Sequence, residues 1–162
     1  MHHFTRRETV ILTRTSPGRL AYLARTGMVV PLRGQGDRAH QVYYSWEQIL
    51  ELRAIRHLRR QVSLQMIRKI LAFLDGIGSD RTLRNKNLVI ANGKVTWVEM
   101  GEESVPKVVQ VADKANRHIG QLQLMTLPPI NHFIDDIWET ASRSKVIDFE
   151  SFRQRVPTIR PD

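Results

Sequence analysis

The chain has 162 residues, enough for one compact domain or two small ones. Apolar residues make up 41% and charged residues 25%, which excludes a wholly disordered chain, and the absence of cysteine excludes disulfides, thiolate metal sites, thiol redox sensing and a cysteine nucleophile together. The net charge is +9, and it is uneven: residues 1–79 hold 13 of the 25 basic residues but only 5 of the 16 acidic ones, a pattern that points to a polyanionic partner for the first half.

Thr5 to Thr13 has the pattern of a short helix, with Glu8 in its first turns where the helix dipole favours an acid. Ser16-Pro17 supplies an N-cap and a first-turn proline for a second helix, whose apolar stripe is Leu20, Leu23 and Ala24. Gly27 suits the left-handed position that ends it. Two short helices across a tight turn are a helix-turn-helix candidate. Met28-Val29-Val30-Pro31 is short, apolar and extended. The charged, glycine-broken loop Arg33–Arg38 and the β-forming run Gln41–Tyr44 follow, so a small hairpin, or wing, is expected. Ser45-x-x-Gln48 is a capping box that opens a helix to about Arg60. A further helix starts at Ser63 and carries Leu64, Ile67, Leu71 and Leu74 on one stripe as far as Asp75. Gly76-Ile77-Gly78 then marks a boundary.

The second half changes character. Leu88–Ile90, Asn92-Gly93 and Val95–Val98 predict a hairpin around a two-residue turn. Residues 101–120 suit strand or helix, and Leu122–Leu127 has the character of a strand. Pro128-Pro129 opens a helix with Ile130, Phe133, Ile134 and Ile137 at helical spacing. Residues 143–162 are polar, contain Pro157 and Pro161, and are expected as a loose tail.

The segment from Phe4 to Asp75 resembles the DNA-binding domain of MerR-family transcription regulators. The resemblance is carried by Thr15-Ser16-Pro17-Gly18-Arg19-Leu20-x-Tyr22 and Gly27-Met28-Val29-Val30-Pro31. It continues in Tyr44-Ser45-x-x-Gln48-Ile49 and in Ile55…Leu58 followed by Val62-Ser63-Leu64-x-x-Ile67. It implies a winged helix-turn-helix with a following helix pair. Such a domain binds DNA as a dimer, with the second helix in the major groove and the wing on the backbone. The chain departs from the family pattern at Ala21, Leu23 and Ala24, where an arginine, a second tyrosine and a glutamate are usual, and at Val42, where the wing usually has an arginine. The larger departure follows Asp75, where family members continue into a long coiled-coil helix and this chain turns to glycines and strands. The expected fold class is therefore α+β: a MerR-like domain over 1–76, a mixed strand and helix domain over 80–142 for dimerisation or effector binding, and a polar tail over 143–162.

Major-groove readers place polar or cationic groups near the start of the inserted helix. Ser16 offers a hydroxyl and lies where helix N–H groups accept a phosphate. Arg19 is positioned to fork onto guanine, Arg14 in the turn suits a phosphate, and Arg25 suits a phosphate or the helix C-terminus. Arg33, Arg38 and His40 surround the wing glycines and suit the phosphate ridge. The resemblance places Tyr22 and Tyr44 at backbone contacts. Tyr43 and Tyr44 alternate on a strand, so one is core and the other open. Arg53, Arg56 and Arg60 share one helix face, expected to be solvated. Asp135, Asp136 and Glu139 fit the favoured acids of early helical turns. His118 and His132 have no third metal ligand at a recognisable spacing, and no nucleophile or phosphate-loop motif is present. Catalytic residues, metal and cofactor are accordingly expected to be none.

These features predict a sequence-specific DNA-binding transcription regulator, a homodimer on a palindromic operator in double-stranded DNA. The apolar helix from Ile130 to Trp138 and the hairpin at Asn92-Gly93 are the candidate dimer contacts. The alternative is an antitoxin whose C-terminal half, including the tail, docks on a toxin. A third possibility is a small-molecule sensor with its pocket in the C-terminal half. No apolar run approaches the roughly 18 residues of a membrane span, and the basic N-terminus has no apolar stretch behind it, so a bacterial, cytoplasmic, membrane-free protein is expected.

Overall fold

The first helix, α1 (Arg6–Thr13), starts at a reciprocal capping box: the Glu8 N–H donates to Thr5 Oγ1 at 3.3 Å, and the Thr5 N–H donates to Glu8 Oε2 at 2.8 Å. The computed structural model describes residues 2–76, 83, 88–91, 94–100, 106–113, 125–126 and 130–157. They fall into two units, Met1–Arg56 with Ile130–Asp162, and His57–Pro129.

In the first unit, α2 (Pro17–Arg25) follows α1 across a short turn. Ser16 Oγ caps it by accepting from the Arg19 N–H at 3.2 Å. At its other end Gly27 takes φ +73°. The Gly27 N–H reaches Ala24 O and the Met28 N–H reaches Leu23 O, a Schellman closure. The Val29 N–H also turns back to Leu23 O. That consumes the N–H groups of the segment expected to be the first wing strand, and Pro31 has none to offer. The strand β2 therefore forms later, at Leu32–Arg33. With β1 (His3–Thr5) and β3 (Val42–Ser45) it makes an antiparallel sheet in the order β1-β3-β2. Thr5 faces Tyr43 and Leu32 also faces Tyr43, so β3 is the central strand. The strand β1 carries no sequence signal of its own; at three residues it exists because β3 supplies its partners.

The capping box Ser45–Gln48 forms as expected and opens α3 (Trp46–Leu58). The unit is completed by α5 (Ile130–Arg143) and α6 (Phe149–Arg155). The helix after Pro128-Pro129 is thus where the sequence places it. Its stripe Phe133, Ile137 and Ala141 is buried, and α5 packs against α1 of the same chain. The apolar face expected to hold a second copy is therefore covered from within.

The loose tail is corrected as well. Asp148 caps α6 by accepting from the Ser151 N–H at 2.6 Å, and Phe152 is fully buried. Its ring lies 5.1 Å from Trp138, 6.0 Å from Phe4, 6.0 Å from Phe149 and 6.2 Å from Trp46, centroid to centroid. The apolar helix spacing was too short to be visible among charged neighbours. At the end of α6 the Arg155 guanidinium forks onto Glu8, at 2.6 and 3.1 Å, donates to His3 O at 3.0 Å, and lies over the Phe4 ring.

The second unit contains α4 (Leu64–Gly76), capped by Ser63 Oγ, with Met66, Ile67, Ile70, Leu71 and Leu74 buried. Its sheet is antiparallel in the order β6-β5-β4-β7, built from β4 (Leu88–Ala91), β5 (Lys94–Met100), β6 (Pro106–Asp113) and β7 (Met125–Thr126). Ala91 pairs with Lys94, which is the expected two-residue hairpin connection. Asn92 and Gly93 themselves, like all of 114–124, lie outside the described residues. The ambiguous stretch resolves into β6, whose partner β5 supplies the pairing that periodicity did not reveal.

Phe152→Ala is expected to destabilise the chain by about 3–5 kcal/mol in chemical denaturation, because it empties the centre of an aromatic cluster. A pH effect follows from Glu8. Burial pushes its carboxyl up, but the hydrogen bonds from Arg155 and Thr5 and the Arg155 charge outweigh this and hold it below its ordinary 4.5. The folded state thus favours the carboxylate, a stability present above the ordinary value and lost as pH falls through the depressed one. Glu8→Gln is expected to lower stability by about 1–3 kcal/mol near pH 7. The deficit relative to wild type should shrink as pH falls below the ordinary 4.5, in thermal melts of both proteins.

Candidate nucleic-acid interface

The turn between α1 and α2 ends in Arg14, whose φ is +52°, a left-handed conformation unusual for a residue with a side chain. Its N–H reaches Ile11 O, and its carbonyl accepts from Arg56 Nη1 at 2.7 Å. Its side chain is exposed. From this turn α2 presents two faces. Leu20 and Leu23 are buried. Gly18, Ala21 and Arg25 are exposed and Tyr22 is half-buried. Positions 18, 21, 22 and 25 follow i, i+3, i+4, i+7 spacing and therefore form one outward stripe. Gly18 and Ala21 leave its N-terminal half low, and a β-carbon on Gly18 would meet nothing within 4 Å. Arg25 lies over the Tyr22 ring at 5.8 Å, at the C-terminal end of the stripe. Ser16 is exposed at the helix start, and Arg19 is half-buried at the flank.

The wing is a compact loop. The Gly34 N–H donates to Gln41 O at 2.9 Å, the Gln41 N–H to Arg38 O at 2.9 Å, and a single 3₁₀ turn covers Gly36–Arg38. Gly36 takes φ +59°, and a β-carbon on Gly34 would run into the Arg38 carbonyl, so both glycines are required by the backbone path. Arg33, Arg38 and His40 all remain exposed. Gln48, besides capping α3, donates from Nε2 to Val30 O at 2.5 Å and ties the wing's base to that helix.

Two expectations are corrected. Tyr44 was assigned to DNA backbone contact, but it is 2% exposed and lies in the core; burial pushes its phenol up, opposed by the nearby Arg6. Tyr43 is the more open of the pair and donates to Gln41 Oε1. Tyr44 shares a sheet face with its cross-strand partner Phe4, and both are buried on the side where α1 packs against β3. Of the face expected to be solvated, Arg56 and Arg60 are exposed, but Arg53 is not. Arg53 is 4% exposed and donates to Leu12 O at 2.9 Å, to Asp136 Oδ2 at 3.0 Å and to Thr140 Oγ1 at 3.0 Å. Burial pushes it down to about 10, with Asp136 raising it and Arg14 and Arg56 lowering it further, so it stays charged at neutral pH. Asp136 is thus its ion-pair partner, and Glu139 pairs with Arg143 on the surface. His132 is exposed, His118 lies outside the described residues, and no metal-holding group of three His, Asp or Glu occurs among the described residues.

No helix among the described residues is long and apolar enough to cross a membrane. None of the curated proteins compared with the chain matches it. Residues 4–74 match the family model described as MerR HTH family regulatory protein. The matched range runs from β1 to the end of α4, and so contains the turn, the outward stripe of α2 and the wing. Residues 4–74 of this chain are thus similar to the helix-turn-helix domain of MerR-family regulatory proteins.

Proposed function

We propose that the chain is a sequence-specific transcription regulator that reads double-stranded DNA with α2 and grips its backbone with the wing. The observation that carries this is the outward stripe of α2. Low residues in its N-terminal half let the helix backbone approach base edges, with Tyr22 and Arg25 following them on the stripe. Arg19 reads a base at the flank of that stripe. Ser16, Arg14, Tyr22 and Arg25 contact phosphates around it, and Arg33, Arg38 and His40 do so from the wing. Tyr44 supports the wing from the core. The protein works as a homodimer on a palindromic site, since one short helix reads too few bases. With α5 covered by α1, the dimer contact falls within residues 57–129, the hairpin β4–β5 included. It acts without catalysis. The antitoxin alternative places a toxin on the C-terminal half, and of that half Phe152 and Arg155 in α6 are engaged within the chain.

Arg19→Ala is expected to lower affinity for the selected duplex by about 1–3 kcal/mol while leaving random duplex nearly unaffected. Arg33→Ala and Arg38→Ala are expected to weaken all duplexes alike and to reduce the slope of log K against log salt by about 1 each. Titrations at two or more salt concentrations check both. If none of the three substitutions changes binding, the assigned face is wrong. Sedimentation of the chain with and without its selected duplex tests the dimer, and one copy per site in both would sink it.

A further inference from the structure

The guanidinium of Arg53 reaches three partners on two other helices, α1 and α5. It donates to the carbonyl of Leu12 in the last turn of α1, one of the carbonyls a helix end leaves without an intrahelical partner. One turn further along α3, Arg56 donates to the carbonyl of Arg14. The two arginines thus hold the two carbonyls on either side of Thr13, at the entrance to the α1–α2 turn. Arg53 is 4% exposed, so it can be aimed at Leu12 only if its remaining donors and its charge are met inside the protein. Asp136 and Thr140 of α5 meet them, each at 3.0 Å, and the Thr140 hydroxyl itself donates to Asp136 O at 2.7 Å. Both residues lie outside the matched segment 4–74.

We propose that Asp136 and Thr140 are positioning residues for DNA reading: by neutralising and orienting Arg53, α5 sets the α1–α2 turn and with it the pose of α2. This rests on the reading of α2 as the DNA-reading helix. DNA recognition then depends on a segment more than fifty residues beyond the family-matched domain, and a change in α5 alters specificity without touching a DNA-facing residue.

The test uses the full chain with Asp136→Asn and, as a milder change, Thr140→Val. Glu139→Gln is the control: it alters charge on the same helix, but its carboxylate pairs with Arg143 on the surface. The probes are the duplex that wild type enriches from a random pool and a scrambled duplex of equal length, both read well below each variant's melting temperature. Asp136→Asn is expected to lower the ratio of selected to scrambled affinity about tenfold and Thr140→Val about threefold, with Glu139→Gln unchanged. Should Asp136→Asn melt too low to assay, Thr140→Val decides. Amide exchange at Arg14 and Leu20, read without DNA, is expected to quicken in both variants relative to α3. An unchanged affinity ratio overturns the proposal, whether or not exchange quickens, because the contact then serves stability alone. If wild type enriches no duplex, the DNA-reading assignment of α2 fails by itself; the exchange at the turn then decides whether α5 positions it, and unaltered exchange overturns that too.

Discussion

One buried guanidinium ties the helix-turn-helix to the rest of its unit. Arg53 leaves water almost completely, which is costly unless every donor and the charge find partners. Its partners come from two other helices: Leu12 at the end of α1, and Asp136 and Thr140 on α5. The requirement runs both ways. The turn carbonyl needs a donor because its helix has ended, and the arginine needs a carboxylate because it has lost its hydration. Meeting both fixes α1, α3 and α5 relative to one another.

The other end of α1 is held in the same manner. Arg155 forks onto Glu8, the acid that also closes the helix's own capping box. Helix α1 is thus pinned at its start by α6 and at its finish through Arg53 by α5. Between the pins, Thr9 and Thr13 are buried and donate back to the carbonyls of Thr5 and Thr9, so their hydroxyls enter the core satisfied. A domain of about seventy residues has little core of its own. The aromatic cluster of Phe4, Trp46, Trp138, Phe149 and Phe152 enlarges it with rings drawn from both ends of the chain.

The excess of arginine in the first half serves two purposes that composition does not separate. Arg53 is spent on the interior and Arg56 on a turn carbonyl. Arg14, Arg25, Arg33 and Arg38 remain exposed at the turn, α2 and the wing. Charge alone points to a polyanion; burial says which charges are available to meet one. The wing shows the same division, with its glycines serving the backbone path and its cations left outside.

What the sequence by itself determined is local. Ser16, the Ser45–Gln48 box, Gly27 and the Ala91–Lys94 connection act over two to four residues, and their hydrogen bonds form wherever the chain goes next. The order of these signals also carries the resemblance to the MerR regulatory family that the match over residues 4–74 bears out. Tertiary structure alone decided which of Tyr43 and Tyr44 turns inward, since that depends on which face of the sheet packs against the helices. It likewise decided that Arg53 is buried and that α6 docks. The partners concerned lie 83 residues apart for Arg53 and Asp136, and 147 apart for Glu8 and Arg155. No spacing rule reaches that far, because such contacts are chosen by the closing of the whole core and not by the geometry of one helix or turn.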